Sequence, residues 1–124
     1  MDYTKEFFKK KFEKAVKLSD CLIKAMGTDY DKVGIFHLMT LMFSEKGVIT
    51  FYRRIKDNEY YASLVFADGE KVDPYWVSHI GDIREDVADT LADNAMRLIE
   101  EMGGQGYQLE EVVYLGVDLD FLYI

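Results

Sequence analysis

Two amphipathic segments, far apart in the chain, most constrain how it can fold. In residues 4–26 and again in residues 82–102, apolar side chains recur at intervals of three and four, which is the spacing of one face of an α-helix. A helix with one apolar stripe is stable only when another element covers that stripe. The rest of the chain must therefore supply an apolar surface.

Strand-like runs supply that surface. Val48–Ile55 and Tyr60–Ala67 are rich in Val, Ile, Tyr and Phe and are joined by Lys56-Asp57-Asn58-Glu59, which predicts a hairpin. In Val112–Tyr123 apolar residues occupy every second position, and the alternate positions change from apolar to acidic. This period of two predicts a strand with one covered and one wetter face.

The run Val33–Phe43 is compatible with two structures. As a helix it would end at Gly47; as a strand it would lead into a turn at Ser44-Glu45-Lys46-Gly47. Periodicity does not separate a short buried strand from a buried helix. We favour the strand, because it completes a meander with the hairpin that follows. Residues 70–81 are predicted to be irregular.

Local signals mark the ends of both helices. Thr4 is predicted to cap the first helix and Gly27 to end it. Asp82 is predicted to cap the second, with Glu85 three residues later in the spacing of a capping box. Gly103-Gly104 is predicted to end that helix.

These elements predict one α+β domain over residues 1–124. The expected architecture is a two-layer sandwich of order α-β-β-β-α-β, in which both helices pack on one face of a mainly antiparallel four-stranded sheet. A chain of 124 residues with 49% apolar and 15% aromatic composition can bury a core of this kind without disulfides.

The single cysteine and the hydropathy pattern indicate the cellular compartment in which the protein is expected. Cys21 alone allows neither an intramolecular disulfide nor a multi-cysteine zinc site. The longest uncharged run, Val33–Ser44, is about half of the ~20 residues needed to span a bilayer. We therefore expect a cytoplasmic protein without membrane segments.

Charge is distributed unevenly along the chain. Residues 1–32 carry a net charge of +2, residues 33–81 of −1 and residues 82–124 of −9, which gives −8 in total. A strongly acidic protein is not expected to bind nucleic acid directly or to attach to anionic lipid. Its field instead favours association with a basic protein.

Acidic side chains form a row along the second predicted helix. Spacings of four, three and four place them on one face, in a row roughly 16 Å long: Asp82, Asp86, Asp89 and Asp93, with Glu85 beside them. Such a row is either a solvated face or a binding surface for a basic partner. Lysines of the first helix would partly neutralise it if the two helices pack side by side.

Other polar residues are candidates for catalysis or metal binding. Asp118 and Asp120 project from the same face of the last strand, as a metal pair or an acid–base pair would, but no third ligand stands at a recognisable spacing. Cys21 adjoins an apolar stripe, His37 lies in an apolar run and His79 precedes a helix start. We therefore predict no catalytic residue, metal site or cofactor.

Exposed aromatic residues beside acids are typical hot spots of protein interfaces. Tyr75, Trp76 and Tyr114 are the candidates. The predicted partner-binding set joins these aromatic residues to the acidic row of the second helix and to Asp118 and Asp120.

Four stretches of the sequence carry a resemblance to a known family. They are the N-terminal helix before Asp31-Lys32-Val33, the hairpin Val48–Phe66, the second helix and the closing Gly116-Val117-Asp118-Leu119-Asp120-Phe121. In this order of elements the chain is similar to the small acidic immunity proteins of bacterial toxin systems, particularly the YezG-like family. The resemblance implies a cytoplasmic protein that neutralises a cognate toxin.

Three functional hypotheses follow from the sequence. The first is a small acidic protein-binding inhibitor, either an immunity protein or a phage anti-defence protein, that masks a basic, toxin-like or nuclease-like partner. The second is a ligand-binding or enzymatic α+β domain with a sheet-face cleft near His37, Asp118 and Asp120. The third is a housekeeping interaction domain or a homodimer.

Overall fold

The computed structural model describes residues 3–26, 35–54, 58–68, 71–81 and 86–114, and for residues 26, 67–68, 71–79 and 81 it describes the backbone alone. Two helices and five strands lie within these ranges. In chain order they are α1 (Lys5–Met26), β1 (Ile35–Phe43), β2 (Gly47–Arg54), β3 (Glu59–Asp68), β4 (Lys71–Gly81), α2 (Val87–Gly104) and β5 (Leu109–Tyr114).

The strands form one antiparallel sheet in the order β4-β3-β2-β1-β5. The predicted α+β class is confirmed, as are the four predicted strands and the two helices on one sheet face. The described part of the Val33–Phe43 run is a strand and not a helix, since Ile35–Phe43 pairs with β2 on one side and β5 on the other. The last strand is described as far as Tyr114, so the predicted part from 115 to 123 lies outside the described residues.

The prediction that residues 70–81 are irregular is wrong, because Lys71–Gly81 forms a fifth strand. The register pairs Leu64 with Trp76 and Val65 with Pro74, so Tyr75 is an extra residue at a bulge. Proline lacks an amide donor and is accepted in a sheet at edge strands and bulges. β4 is an edge strand, and Pro74 lies beside its bulge.

The hydrophobic core lies between the two helices and one face of the sheet. The first helix contributes Phe8, Phe12 and Ala15 to it, and the ring of Phe12 lies 5.2 Å from that of Phe51 on β2, edge to face. The second helix contributes five buried residues: Leu91, Ala92, Ala95, Leu98 and Met102. All of these residues lie on the predicted apolar stripes or directly beside them.

The helix ends follow the predicted signals only in part. The backbone amide of Phe7 donates to Thr4 Oγ1 at 3.2 Å, so Thr4 caps α1 as predicted. Asp82 does not cap α2, because the helix begins at Val87 after Asp86; Asp82 and Glu85 lie outside the described residues. The C-terminal end comes after Gly104, where Gly106 has a φ of +93°.

Hydrogen bonds define the C-terminal turn of α2. The amide of Tyr107 donates to the carbonyl of Met102, and the amide of Gly106 donates to that of Gly103. This pair of bonds is the Schellman arrangement, which needs a residue of positive φ and therefore favours glycine. It turns the chain from α2 into β5, where the amide of Ser44 donates to the carbonyl of Gln108 at 2.8 Å.

A tight turn joins β1 to β2. The amide of Gly47 donates to the carbonyl of Ser44, and the two central residues, Glu45 and Lys46, have φ values of 58° and 63°. Positive φ at both positions is the geometry of the type I′ hairpin turn. The predicted four-residue turn is confirmed, although neither central residue is the Asn or Gly that this geometry prefers.

Candidate functional site

The acidic row on α2 is the first sequence-predicted site that the structure describes. Asp86 is exposed, and Asp93 is exposed along the same side of the helix. Lys5 Nζ on α1 lies 2.9 Å from Asp93 Oδ1 and 3.2 Å from Asp89 Oδ1, and Lys9 Nζ lies 3.8 Å from Asp89 Oδ1. The two helices therefore run side by side in opposite directions and are joined by ion pairs.

These contacts show that part of the row has cationic partners within the fold. Hydrogen bonds to Asp93 and then to Asp89 raise the pKa of the Lys5 ammonium above its usual 10.5. The alternative, in which first-helix lysines neutralise the acids, is the one observed for Asp89 and Asp93. Lys5 and Lys9 offset the charges of Asp89 and Asp93 within the fold, so this part of the row is a weak candidate for binding.

A shallow groove of about 240 Å³ lies between the helices beside these ion pairs. Its charged lining is Lys9, Glu13 and Lys17 from α1, Asp89 from α2 and Asp86 directly before α2. Opposite charges face each other across the groove, so neither a cation nor an anion is clearly preferred.

Arg53 is a buried charged residue at the end of β2, with 7% of its surface exposed. Its Nη1 donates to Ser19 Oγ at 2.7 Å and to Asp20 Oδ1 at 2.6 Å, and its Nε donates to Asn58 Oδ1 at 2.8 Å. The hydroxyl of Ser19 in turn donates to the carbonyl of Val16. Charge-assisted bonds of this kind fix α1 against the β2–β3 hairpin, which is a structural role.

The remaining sequence candidates lie apart from one another. Tyr114 is half-buried on the helix side of the sheet, where its ring lies 5.9 Å from that of Phe7 and Lys11 Nζ lies 4.2 Å from its centroid. It packs against α1 instead of standing beside exposed acids. Asp118 and Asp120 lie outside the described residues, as do the side chains of Tyr75 and Trp76.

The described histidine and cysteine side chains, His37 and Cys21, form no recognisable catalytic arrangement. Cys21 is half-buried on α1, and His37 is exposed on β1. Within the described ranges, no group of three or more His, Cys, Asp or Glu residues is arranged to hold a metal ion. His79 is placed by its backbone in β4, opposite Tyr61.

The sheet surface on the side away from the helices, which we call the open face, is the most extensive candidate site. Residues paired across neighbouring strands share a face, and alternate residues of β1, β2 and β3 are buried in the helix-side core. The other residues line the open face in four cross-strand rows. No described helix or strand packs on it.

The rows of the open face differ in chemistry. The charged row holds Ile35, Arg54 and Glu59; the tyrosine row holds His37, Tyr52 and Tyr61. The hydroxyl row holds Thr40, Thr50 and Ser63, with Val113 of β5 at its end; the aliphatic row holds Met42, Val48 and Val65, with Glu111 of β5 at its end.

An aromatic stack is the most ordered feature of the open face. The rings of Tyr52 and Tyr61 lie 5.4 Å apart and are nearly parallel, with an interplanar angle of 10°. The guanidinium of Arg54 lies 4.7 Å from the Tyr61 centroid, and the Tyr61 hydroxyl donates to Glu59 at 3.1 Å. Tyrosine and arginine are enriched at the energetic centres of protein interfaces.

Apolar exposure is concentrated on the same face. Of the described large hydrophobic residues, four are classed as exposed, and three of these lie here: Ile35 at 40%, Met42 at 38% and Val113 at 47%. Single exposed apolar residues are ordinary, whereas several on one surface indicate an interaction site.

Of the open-face residues, the sequence singled out His37 as part of a sheet-face cleft but not the residues beside it, although a signal for them was present. In β2, Val48, Thr50, Tyr52 and Arg54 occupy every second position, so they could have been assigned to one face. Which face the helices cover is not encoded in that alternation.

Comparison with known proteins adds no assignment, since no family model, curated protein or solved structure matches the chain. Within the described ranges, neither helix has the length and apolarity needed to cross a bilayer.

Proposed function

We propose that this chain is a small acidic protein-binding inhibitor that acts in the cytoplasm, docks a basic protein on its open face and masks that partner's functional surface. The observation that carries the proposal is the open face itself: an apolar and aromatic surface that no described element covers. Such a surface is typical of an interface.

Charge favours a basic partner over a second copy of the chain. Among the described residues after β4, the acids that make no ion pair are Asp86, Glu100, Glu110 and Glu111, all of them exposed, and the chain as a whole carries −8. Two such copies repel each other, whereas a basic partner is attracted and its association is accelerated. The open face would supply the contact area and the acidic field would supply the association rate.

Photo-crosslinking in the source cells tests the proposal. A crosslinking amino acid at Val113, on the open face, should capture a basic protein, whereas the same residue at Lys14, exposed on α1, should capture little of it. The purified partner should lose its activity when the chain is added in equal amount, and its association should slow as salt increases.

Two results would contradict this function. One is an adduct of two copies of the chain as the main product, which indicates a homodimer. The other is equal capture at Val113 and Lys14, which indicates non-specific encounters.

A further inference from the structure

We infer that the outer edge of β5, beside the open face, binds an extended, basic segment of the partner protein as a sixth strand of the sheet. This inference rests on the proposed function and adds the conformation and the chemistry of the segment that the partner supplies. It depends on the backbone of β5, on the apolar side chains at both faces of this edge and on two exposed glutamates.

The backbone of β5 is paired on one side only. Its residues from Leu109 to Tyr114 pair with β1, and β5 is the last strand of the described sheet on that side. Because the backbone groups of a strand point alternately to its two sides, every second residue of β5 directs its amide and carbonyl away from β1. Within the described ranges no strand pairs with these outward groups, so an incoming strand can bond to them.

The opposite edge of the sheet is less suited to accept a strand. β4 contains Pro74, which has no amide to donate, and extra residues interrupt its pairing with β3 at two places. Prolines and bulges are devices by which edge strands avoid pairing with other chains. β5 has no proline, and the bulge in its pairing with β1 lies at Glu110, so Glu111–Tyr114 form a regular stretch of four residues.

Apolar side chains flank the β5 edge on both faces of the sheet. Val113 stands on the open face and is 47% exposed, more than any other described large hydrophobic residue. On the helix side the ring of Tyr114 lies 5.9 Å from that of Phe7, which lies 5.1 Å from that of Tyr3. These three rings are only partly buried, so a strand added beside β5 would remove apolar surface from water on both faces.

The outward backbone groups favour an extended segment over a helix. A helix bonds its amides and carbonyls internally, so it would leave the outward groups of β5 without partners as the interface excludes water. An extended segment pairs its own backbone with them. Its alternate side chains reach Val113 on one face and Tyr114 on the other.

Charge at the edge favours a basic segment. Glu110 and Glu111 are exposed and make no ion pair with a described residue. Lys11 also lies at this edge, but its ammonium is directed over the ring of Tyr114 on the helix side, 4.2 Å from the centroid. A strand with Lys or Arg on its open-face side would meet Glu111, whereas a second copy of β5 would bring two more glutamates to the same place.

Synthetic peptides of about nine residues, a length typical of strands, provide the probe. The first alternates Lys and Val, which places basic side chains on one face and apolar side chains on the other. The second has the same composition in two blocks, and the third has Glu in place of Lys. We expect the first to bind at least tenfold more tightly than either control.

Hydrogen exchange of single amides, followed by NMR, reports the mode of binding. In the free chain the outward amides of β5 should exchange fast, in alternation with the slow amides that face β1. The alternating peptide should slow these outward amides tenfold or more and should give interstrand NOEs to β5. The amides at the outer edge of β4 should exchange at an unaltered rate.

Matched charge reversals locate the binding. Glu111→Lys, at the edge, should weaken the alternating peptide by tenfold or more, whereas Glu100→Lys, exposed on α2, should leave its affinity within twofold. Thermal unfolding midpoints show whether both variants fold. If Glu111→Lys does not, Glu111→Gln should still weaken the peptide several-fold, with Glu100→Gln as its control.

Several results would overturn the strand inference. One is equal binding of the block peptide. Another is slow exchange of every β5 amide in the free monomer, which means that the chain itself covers this edge. A third is slowing that appears only when the chain self-associates, which assigns the edge to a second copy.

The captured partner separates this inference from the proposed function. A basic protein that is captured at Val113 and inhibited, but leaves the exchange of the outward β5 amides unchanged, would overturn the strand inference while the proposed function stands. A partner that slows these amides but keeps its activity would contradict the inhibitor function and support the added strand.

Discussion

Arg53 Nη1 lies 2.6 Å from Asp20 Oδ1 and joins the C-terminal half of α1 to the end of β2. The next residue along the strand, Arg54, points to the open face, where its guanidinium lies over Tyr61. The two arginines therefore occupy opposite faces of the sheet, as the alternation of the strand predicts, and only one of them is buried.

Replacing Arg53 should destabilise the fold. Arg53→Met removes hydrogen bonds to Ser19, Asp20 and Asn58, and bonds that involve a charged group are each worth about 1.5–3 kcal/mol. Because Asp20 is exposed and can be rehydrated, we expect a total loss of about 2–3 kcal/mol in the free energy of unfolding. Urea denaturation measures this loss.

The adjacent arginine provides the control. Arg54→Met, on the open face, should change the free energy of unfolding by no more than about 0.5 kcal/mol. Equal effects at the two positions would mean that the hydrogen-bond network around Arg53 does not stabilise the fold.

The ion pairs of Lys5 should make the difference in stability between the wild type and Lys5→Met depend on pH. Because the pKa of Lys5 is raised in the folded state, its contribution is fully present below the unfolded value of 10.5 and is lost as the pH rises through the folded-state pKa. Lys5→Met should therefore be less stable than the wild type at about pH 8 and indistinguishable from it once Lys5 is deprotonated.

Lys10→Met is the matched control for Lys5, since Lys10 is exposed on α1 and makes no ion pair with a described residue. Urea titrations of the wild type and both variants at several pH values give the comparison. A difference for Lys5→Met that persists unchanged above the folded-state pKa would show that the ion pairs with Asp89 and Asp93 are not its cause.

A glycine at the second central position of the β1–β2 turn should stabilise the protein. Lys46 has a φ of 63°, which costs a non-glycine residue about 1–2 kcal/mol, while glycine loses more backbone entropy on folding. For Lys46→Gly we expect a net gain of about 0.5–1 kcal/mol in the free energy of unfolding.

Lys14→Gly, at an exposed position of α1, should instead lower the free energy of unfolding by about 1 kcal/mol. Thermal or urea unfolding distinguishes the two. Destabilisation by Lys46→Gly would contradict the type I′ geometry of the turn.

Truncation of a core ring should have a much larger effect than truncation of its neighbour on the open face. Phe51 is fully buried against Phe12, so Phe51→Ala should cost about 3–5 kcal/mol through the cavity that it leaves. Tyr52→Ala removes a half-exposed ring and its stacking contact with Tyr61, and should cost about 1 kcal/mol. Similar losses would contradict the assignment of faces in β2.

Sequence patterns predicted the elements that rest on local periodicity. Both helices and the four expected strands follow from apolar spacings, and Thr4 follows from capping chemistry. β4 was missed because Pro74 and the bulge at Tyr75 interrupt the alternation, and only its position at the sheet edge makes these features acceptable.

The site was harder to predict than the fold, because it depends on which helices and strands pack against each other. Nothing in the local sequence of α2 shows that Lys5 lies against Asp89 and Asp93, since that contact joins two helices that are far apart in the chain. The open face likewise exists only because both helices lie on the same side of the sheet. The spacing of apolar residues predicts which side chains share a face of a helix or strand, but the packing of the helices on the sheet determines which of these faces are exposed.

The position of β1 between β2 and β5 has a consequence for synthesis. Of the described strands, β1 is the first to leave the ribosome, and its sequence, Ile-Phe-His-Leu-Met-Thr-Leu-Met-Phe, carries no acid, lysine or arginine. One of its edges is paired as soon as β2 emerges, but the other waits for β5, after three further strands and a helix have been made. Until then the nascent chain presents an uncharged apolar edge that can pair with other chains, so slow elongation before β5 exposes this protein to aggregation and makes β1 the natural target of a chaperone.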